Sequence, residues 1–259
     1  MSETALDIAH REMETSDTAR LRFYEVFADS ELFLLLAGEA VGDQVEPEAI
    51  EVEGRPYVLA FDSEERLASF AGQVSDFAMV SGRGLVEMLG GQEVGIGLNL
   101  EAPSAVLLPP EALSWLASTL AETPEEAQED IEEIMVPSLA EDGLAALDAK
   151  LARAGGLAQA AWLVGARFKG GRRGHVLAIA GAVAGAEMAL AKSIGEALVF
   201  SGLDEAAVDV TFLPEDSASI GRFALVGRRF DLPVPEPVEE VQVPGRAPGM
   251  DPSKPPKLK

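Results

Sequence analysis

Side chains suited to covalent or metal chemistry are scarce here: two histidines, His10 and His175, and no cysteine. Without cysteine there are no disulfides, no thiolate metal sites and no cysteine nucleophile. Neither histidine has a neighbour in HxxxH or HExxH spacing, so a metal site would need ligands from distant segments. Ser81, in Val-Ser-Gly-Arg-Gly, sits at an expected strand-to-helix turn. Its glycines are misplaced for a nucleophile elbow, and it reads as a helix N-cap. With 44 carboxylates, chance pairs are uninformative. The glutamates of 122–133 lack the spaced aspartates and glycine of a calcium loop. Gly95-Ile96-Gly97 lacks the third glycine of a dinucleotide fingerprint, and no GxxxxGK[ST] occurs. The expectation is a non-enzymatic chain with no catalytic residue, metal or cofactor.

Two features remain as binding candidates. Arg83 is the one base between Leu67 and Ala149, and with Ser81 and Gly82 it opens an expected helix. Arginine beside outward-pointing helix N–H groups could receive a small-molecule anion. The second is the run Lys150, Arg153, Arg167, Lys169, Arg172 and Arg173, with no acid from Lys150 until Glu187. It could dock the acidic first half, dock an acidic protein partner, or stand as a solvated hairpin tip.

Charge frames both. The chain is 259 residues long with net charge −24, divided very unevenly. Up to Ala149 there are 32 acids and 6 bases, net −26; from Lys150 onward 12 acids and 14 bases give +2. So acidic a first half repels phosphate, which argues against a nucleic-acid partner. An acidic surface also favours solubility. The acidic N-terminus lacks the basic and apolar regions of a signal peptide. The most apolar run, Val176 to Ala186, is far short of the roughly 20 residues of a membrane span. The expected setting is cytoplasmic, with no membrane partner.

The elements that must position these residues follow from periodicity. Residues 1–15 are polar and aperiodic and are expected to be disordered. A helix begins near Asp17, strands are expected at 31–37, 57–61 and 77–80, and helices start after Asp62 and Ser81. A hairpin follows (95–100 with 105–108), then a helix opened by Pro110. Ten acids and no base lie between Glu111 and Asp142, and Pro124 to Met135 is expected to be helical. Leu144, Leu147 and Leu151 mark a connecting helix ending at Gly155-Gly156. Beyond it the order is ββαβαβ: strands over 158–168 and 175–179, a helix over 184–200, a strand at 208–213, a short helix to Val226 and an edge strand at 228–232. Prolines crowd the end of the chain, which reads as a disordered tail. The expected organisation is an α+β protein of two small sandwich domains, 16–137 and 157–233, joined by a linker helix over 138–156 and followed by the tail, 234–259.

Several of these segments resemble one family. Tyr57–Phe61 followed by Asp62-Ser63-Glu64-Glu65, then Met79-Val80-Ser81-Gly82-Arg83, then GIGLNLEAPSAVLLPPEAL from Gly95, resemble the N-terminal domain of the SseB family. WLVGARF, GHVLAIAG, EALVFSGL, VDVTFL and GRRFDLP are similar to its C-terminal domain. The resemblance runs from about Leu21 to Pro233 and implies a bacterial protein linked to serine sensitivity, with no established reaction to carry over. The family's name sits beside that of a sulfurtransferase, whose chemistry rests on a cysteine nucleophile that this chain lacks. The leading expectation is a cytosolic binding or regulatory protein acting through protein contacts. The alternatives are a small-anion or amino-acid sensor at Arg83 and, third, a metal-assisted hydrolase or transferase.

Overall fold

The computed structural model describes residues 3–38, 45–124, 129–203 and 208–233. The expected disordered tail, 234–259, lies outside them. Each half of the described chain folds around its own mixed sheet, the α+β class expected from the sequence.

The first half contains α1 (Ala5–Glu12), α2 (Asp17–Ala28), β1 (Glu31–Leu35), β2 (Ala49–Val52), β3 (Arg55–Phe61), α3 (Glu64–Ala71), β4 (Phe77–Ser81), α4 (Gly82–Leu89), β5 (Gly95–Leu98), β6 (Val106–Leu108) and α5 (Pro110–Ala121). Strand order is β4-β1-β3-β5-β6, with β2 also pairing β3. Only β3 and β5 run parallel, with Ala60 beside Leu98. Strand side chains alternate between faces. Leu32, Leu34, Val58, Ala60, Ile96 and Leu98 pack on helices, among them Phe23 and Phe27 of α2. Leu35, Leu59 and Phe61 face the other way, onto α3.

The second half contains β7 (Ile131–Met135), α6 (Glu141–Arg153), β8 (Ala160–Phe168), β9 (Arg173–Ala180), α7 (Glu187–Phe200), β10 (Val208–Leu213), α8 (Ser219–Val226) and β11 (Arg228–Asp231). Strand order is β10-β9-β8-β11, with β7 on the remaining length of β8. From β8 onward this is the expected ββαβαβ order. One face carries Leu147 and Leu151 of α6 with Leu190, Ile194 and Leu198 of α7. Phe223 of α8 packs on the other.

Four local readings differ. The N-terminus is not disordered: Thr4 and Asp7 form a reciprocal capping box on α1, and Leu6 and Ala9 are buried. Residues 131–135 are not helical. They pair antiparallel with β8, from Ile131 beside Phe168 to Met135 beside Gly165. Glutamate is a good helix former, but intrinsic propensity is small beside tertiary context, and pairing with an open length of β8 overrides it. This segment, expected in the first domain, is hydrogen-bonded into the second sheet. The 138–156 helix, expected as a linker, buries Leu147 and Leu151 in the second core. Strand β2 was not expected; it is short and carries little alternation.

Helix α7 belongs to both halves. Its Phe200 is buried in the first core, with its ring 6.2 Å from that of Trp115, which in turn lies 5.3 Å from Tyr24. Edge-to-face aromatic pairs of this kind add roughly 0.5–1.5 kcal/mol beyond their burial.

Gly82 shows how closely the helices approach. A Cβ there would lie 1.9 Å from the Phe27 carbonyl oxygen, a contact only backbone movement could relieve. Gly82→Ala is therefore expected to destabilise by about 2–3 kcal/mol. Gly221 in α8 has open space around its Cβ position, so Gly221→Ala should stabilise by about 0.5–1 kcal/mol. Urea unfolding of the two variants beside wild type checks both signs.

Candidate functional site

The turn from β4 into α4 places Ser81, Gly82 and Arg83 together, as the sequence suggested, and then closes them off. Ser81 Oγ accepts from Gly84 N at 3.0 Å, so Ser81 is the N-cap. The Gly82 amide donates to Ser30 O at 2.8 Å. Two helix-start N–H groups are thus engaged within the fold. Arg83 reaches across to α7 and binds Glu196 through two parallel hydrogen bonds, of 2.8 and 2.9 Å. A more distant contact runs from Arg83 to Asp29. The carboxylate an external anion would supply is already there, and it is only 7% exposed. The hydrogen bond and charge of Glu196 hold the Arg83 guanidinium above its ordinary pKa.

The basic run divides between two tasks. Lys150 and Arg153, in the last turn of α6, turn toward α2. Lys150 Nζ donates to Glu25 at 3.2 Å and Asp29 at 3.1 Å, and Arg153 donates to Asp29 at 3.0 Å. Arg22 holds the other oxygen of Glu25. Together with Arg83–Glu196 these contacts form an ionic seam joining α2 and α4 to α6 and α7. Docking of the acidic first half, one of the three roles considered, is what Lys150 and Arg153 do.

Arg167, Lys169 and Arg172 instead stay at the β8–β9 tip. Arg167 pairs with Glu132 and Glu133, Lys169 with Asp130, and Arg172 with Glu129 and Asp209. These pairs are exposed, so solvent screens them and each contributes little to stability. The Arg172 guanidinium also lies over the Phe168 ring, 3.9 Å from its centroid. Arg173, on β9, makes no ion pair with a described residue. The histidines serve packing: His10 lies edge-on to Phe23, and His175 Nε2 accepts from the Ser138 amide.

A second cluster was not foreseen, and it is the most buried. It lies where the parallel strands β3 and β5 end, the place where open α/β sheets commonly hold ligands. Arg66, 5% exposed, donates through one nitrogen to both oxygens of Asp62, at 2.8 and 2.9 Å, and through the other to Asp7 Oδ2 at 2.6 Å. Thr4 Oγ1 donates to Asp62 at 2.6 Å. Asn99 Oδ1 accepts from the Asp62 amide, and its Nδ2 donates to Ser104 Oγ. Ser104 also accepts from Arg66. To reach these groups the loop after β5 bends through positive φ at Asn99 and Glu101, 51° and 66°. Asp7 Oδ1 is buried without a hydrogen-bond partner. Two carboxylates around one guanidinium leave a buried net charge of −1. Chemically the cluster holds parts together: the guanidinium is occupied by internal carboxylates. The Thr-x-x-Asp spacing at Thr4 and Asp7 was the available signal in the sequence; the rest of the cluster is assembled by the sheet.

A cleft of about 380 Å³ lies beside β2, lined by Ala49, Ile50, Glu51, Gly54 and Pro56. It offers one carboxylate and no cation. Among the described residues no group of three or more histidine or carboxylate side chains could hold a metal ion, and no helix is long and apolar enough to cross a membrane.

With this geometry in hand the comparisons are specific but few. Residues 3–115 match the family model described as the SseB protein N-terminal domain. The match covers the first half alone, from α1 into α5. No curated protein and no solved structure matches the chain.

Asp7 titrates in a way that tests the buried cluster. Burial pushes its carboxyl up, but hydrogen bonds from Arg66, Ser104 and the Thr4 amide, with the Arg66 charge, outweigh this and hold it well below the usual carboxylate range. A depressed folded-state pKa adds stability above the unfolded value, near 4, and that stability is lost as pH falls. Wild type should therefore lose about 1 kcal/mol per pH unit more than Asp7→Asn below pH 4, as followed by urea unfolding at pH 7, 4, 3 and 2.5. At pH 7 the variant should be less stable by about 1–3 kcal/mol, because the hydrogen bond from Arg66 then ends on a neutral amide instead of a carboxylate.

Proposed function

We propose that this chain is a non-enzymatic binding or regulatory protein of the SseB type, acting through contacts with another protein. One observation carries the reading. The cations best placed to receive a small ligand, Arg83 and Arg66, are engaged by internal carboxylates, whereas large apolar side chains stand exposed on the surface. Met79, Val74, Val136 and Leu225 are the most prominent. Where such groups cluster, as Met79 does beside Phe33 and Phe77, they suit recognition of a protein surface. We assign the second half to the SseB C-terminal domain on the strength of WLVGARF in β8, GHVLAIAG in β9 and VDVTFL in β10.

A sensor at Arg83 would require its ligand to displace Glu196. The displaced carboxylate would then stay buried without its cation, at a cost of about 3–5 kcal/mol. This makes the sensor the weaker alternative.

Affinity capture with the full chain, at low and at physiological salt, tests the leading reading. A specific protein retained in both is the expected result; none in either would overturn it. Thermal shift against a panel of inorganic anions and amino acids tests the alternative, since a ligand at 100 times its Kd adds about 2.7 kcal/mol. No shift is expected, and a shift abolished by Arg83→Ala would restore the sensor.

A further inference from the structure

A sheet edge is a row of unpaired N–H and C=O groups that invites another strand, and proteins ordinarily blunt it with charge, proline or a bulge. Most free edges of this protein are blunted in that way. Strand β6 is three residues long and runs directly into Pro109 and Pro110. Strand β2 carries Glu51, β7 carries Glu132 and Glu133, β10 carries Asp209, and β11 carries Arg228, Arg229 and Asp231.

Strand β4 is the exception. It ends the first sheet, and its sequence, Phe77-Ala78-Met79-Val80-Ser81, has no charge and no proline. It pairs β1 in unbroken register from Leu35↔Phe77 to Glu31↔Ser81, with no bulge. The ladder also fixes which way its backbone points. Leu36 N donates to Asp76 O, and Gly82 N donates to Ser30 O, so 76, 78, 80 and 82 are the positions bonded to β1. The N–H and C=O groups of Phe77 and Met79, and the N–H of Ser81, therefore face outward. On the same face as these side chains, Met79 is 62% exposed and opposes Phe33, whose ring lies 5.3 Å from that of Phe77.

The surroundings select the partner. Glu31 and Asp76 flank the edge and are exposed. Arg83, the one base between Leu67 and Ala149, is held by Glu196. An incoming strand thus meets apolar side chains flanked by two carboxylates that pair with no cation among the described residues. We propose that the outer edge of β4 is a strand-addition site for an extended protein segment alternating apolar and basic residues. Main-chain hydrogen bonds to Phe77, Met79 and Ser81 supply the docking frame, contact with Met79 and Phe33 supplies apolar burial, and Glu31 and Asp76 select positive charge. This rests on the protein-binding reading above and names its surface and its partner's chemistry.

The probe is a ten-residue peptide of alternating valine and lysine, with a valine–glutamate peptide as control, each titrated against the full chain. The lysine peptide should bind at least tenfold more tightly than the glutamate peptide, weaken with added salt, and slow amide exchange at Phe77, Met79 and Ser81. Met79→Pro removes an outward N–H without touching the ladder to β1 and should weaken binding at least tenfold. Met79→Lys should do the same by charge and keeps the test intact if the proline variant does not fold. Equal affinity for the two peptides, protection elsewhere, or unchanged binding by both variants would overturn the proposal. So would a wild-type dimer in sedimentation that either variant dissolves, because the occupant would then be a second copy. A protein captured equally by wild type and Met79→Lys would leave the protein-binding reading standing and remove this edge from it.

Discussion

A first half with 32 acids and 6 bases can bury a carboxylate only where a cation is brought to it. Much of the arrangement follows from meeting that requirement. Asp7 and Asp62 share Arg66. Glu25 and Asp29, on α2, are met by Lys150 and Arg153 from the other half. Glu196 meets Arg83 in the reverse direction. The seam therefore works as a reciprocal exchange: each half completes the other's partly buried charges. Separating the halves would leave Glu196 and Lys150 without the partners that compensate them, and Glu25 with Arg22 alone.

Apolar packing runs alongside the seam. Phe200 leaves the second half's helix α7 and enters the first core beside Trp115, so the ionic contacts sit next to an aromatic stack. The two effects divide the work. Burial of Phe200 supplies attraction without direction, while the bidentate Arg83–Glu196 pair sets the helices' relative position. Gly82 removes the side chain that would hold α4 away from α2.

This economy of cations bears on function. Arg66 and Arg83, which could have greeted an external anion, instead hold the protein's own carboxylates. The Arg167, Lys169 and Arg172 pairs at the β8–β9 tip fasten β7 to its neighbour, stabilising an edge strand rich in glutamate. What remains accessible around β4 is apolar side chains, free backbone groups and excess negative charge.

The sequence by itself determined the α+β class, most strands and helices, the lack of cysteine chemistry and the charge division, because these depend on composition and on short-range periodicity. It also marked Ser81, Gly82 and Arg83 as neighbours at a helix start. Only the tertiary structure decided what those residues face, since Glu196 is more than a hundred positions from Arg83. It likewise made a strand of 131–135, where pairing with the open edge of β8 outweighs the local helical propensity of the glutamates. Helix α1 needed Arg66, 59 residues from Asp7, before its short polar sequence could be anchored. Local signals state what a segment can become. The cation available to each buried carboxylate, and the strand edge left uncovered, are settled only when distant segments meet.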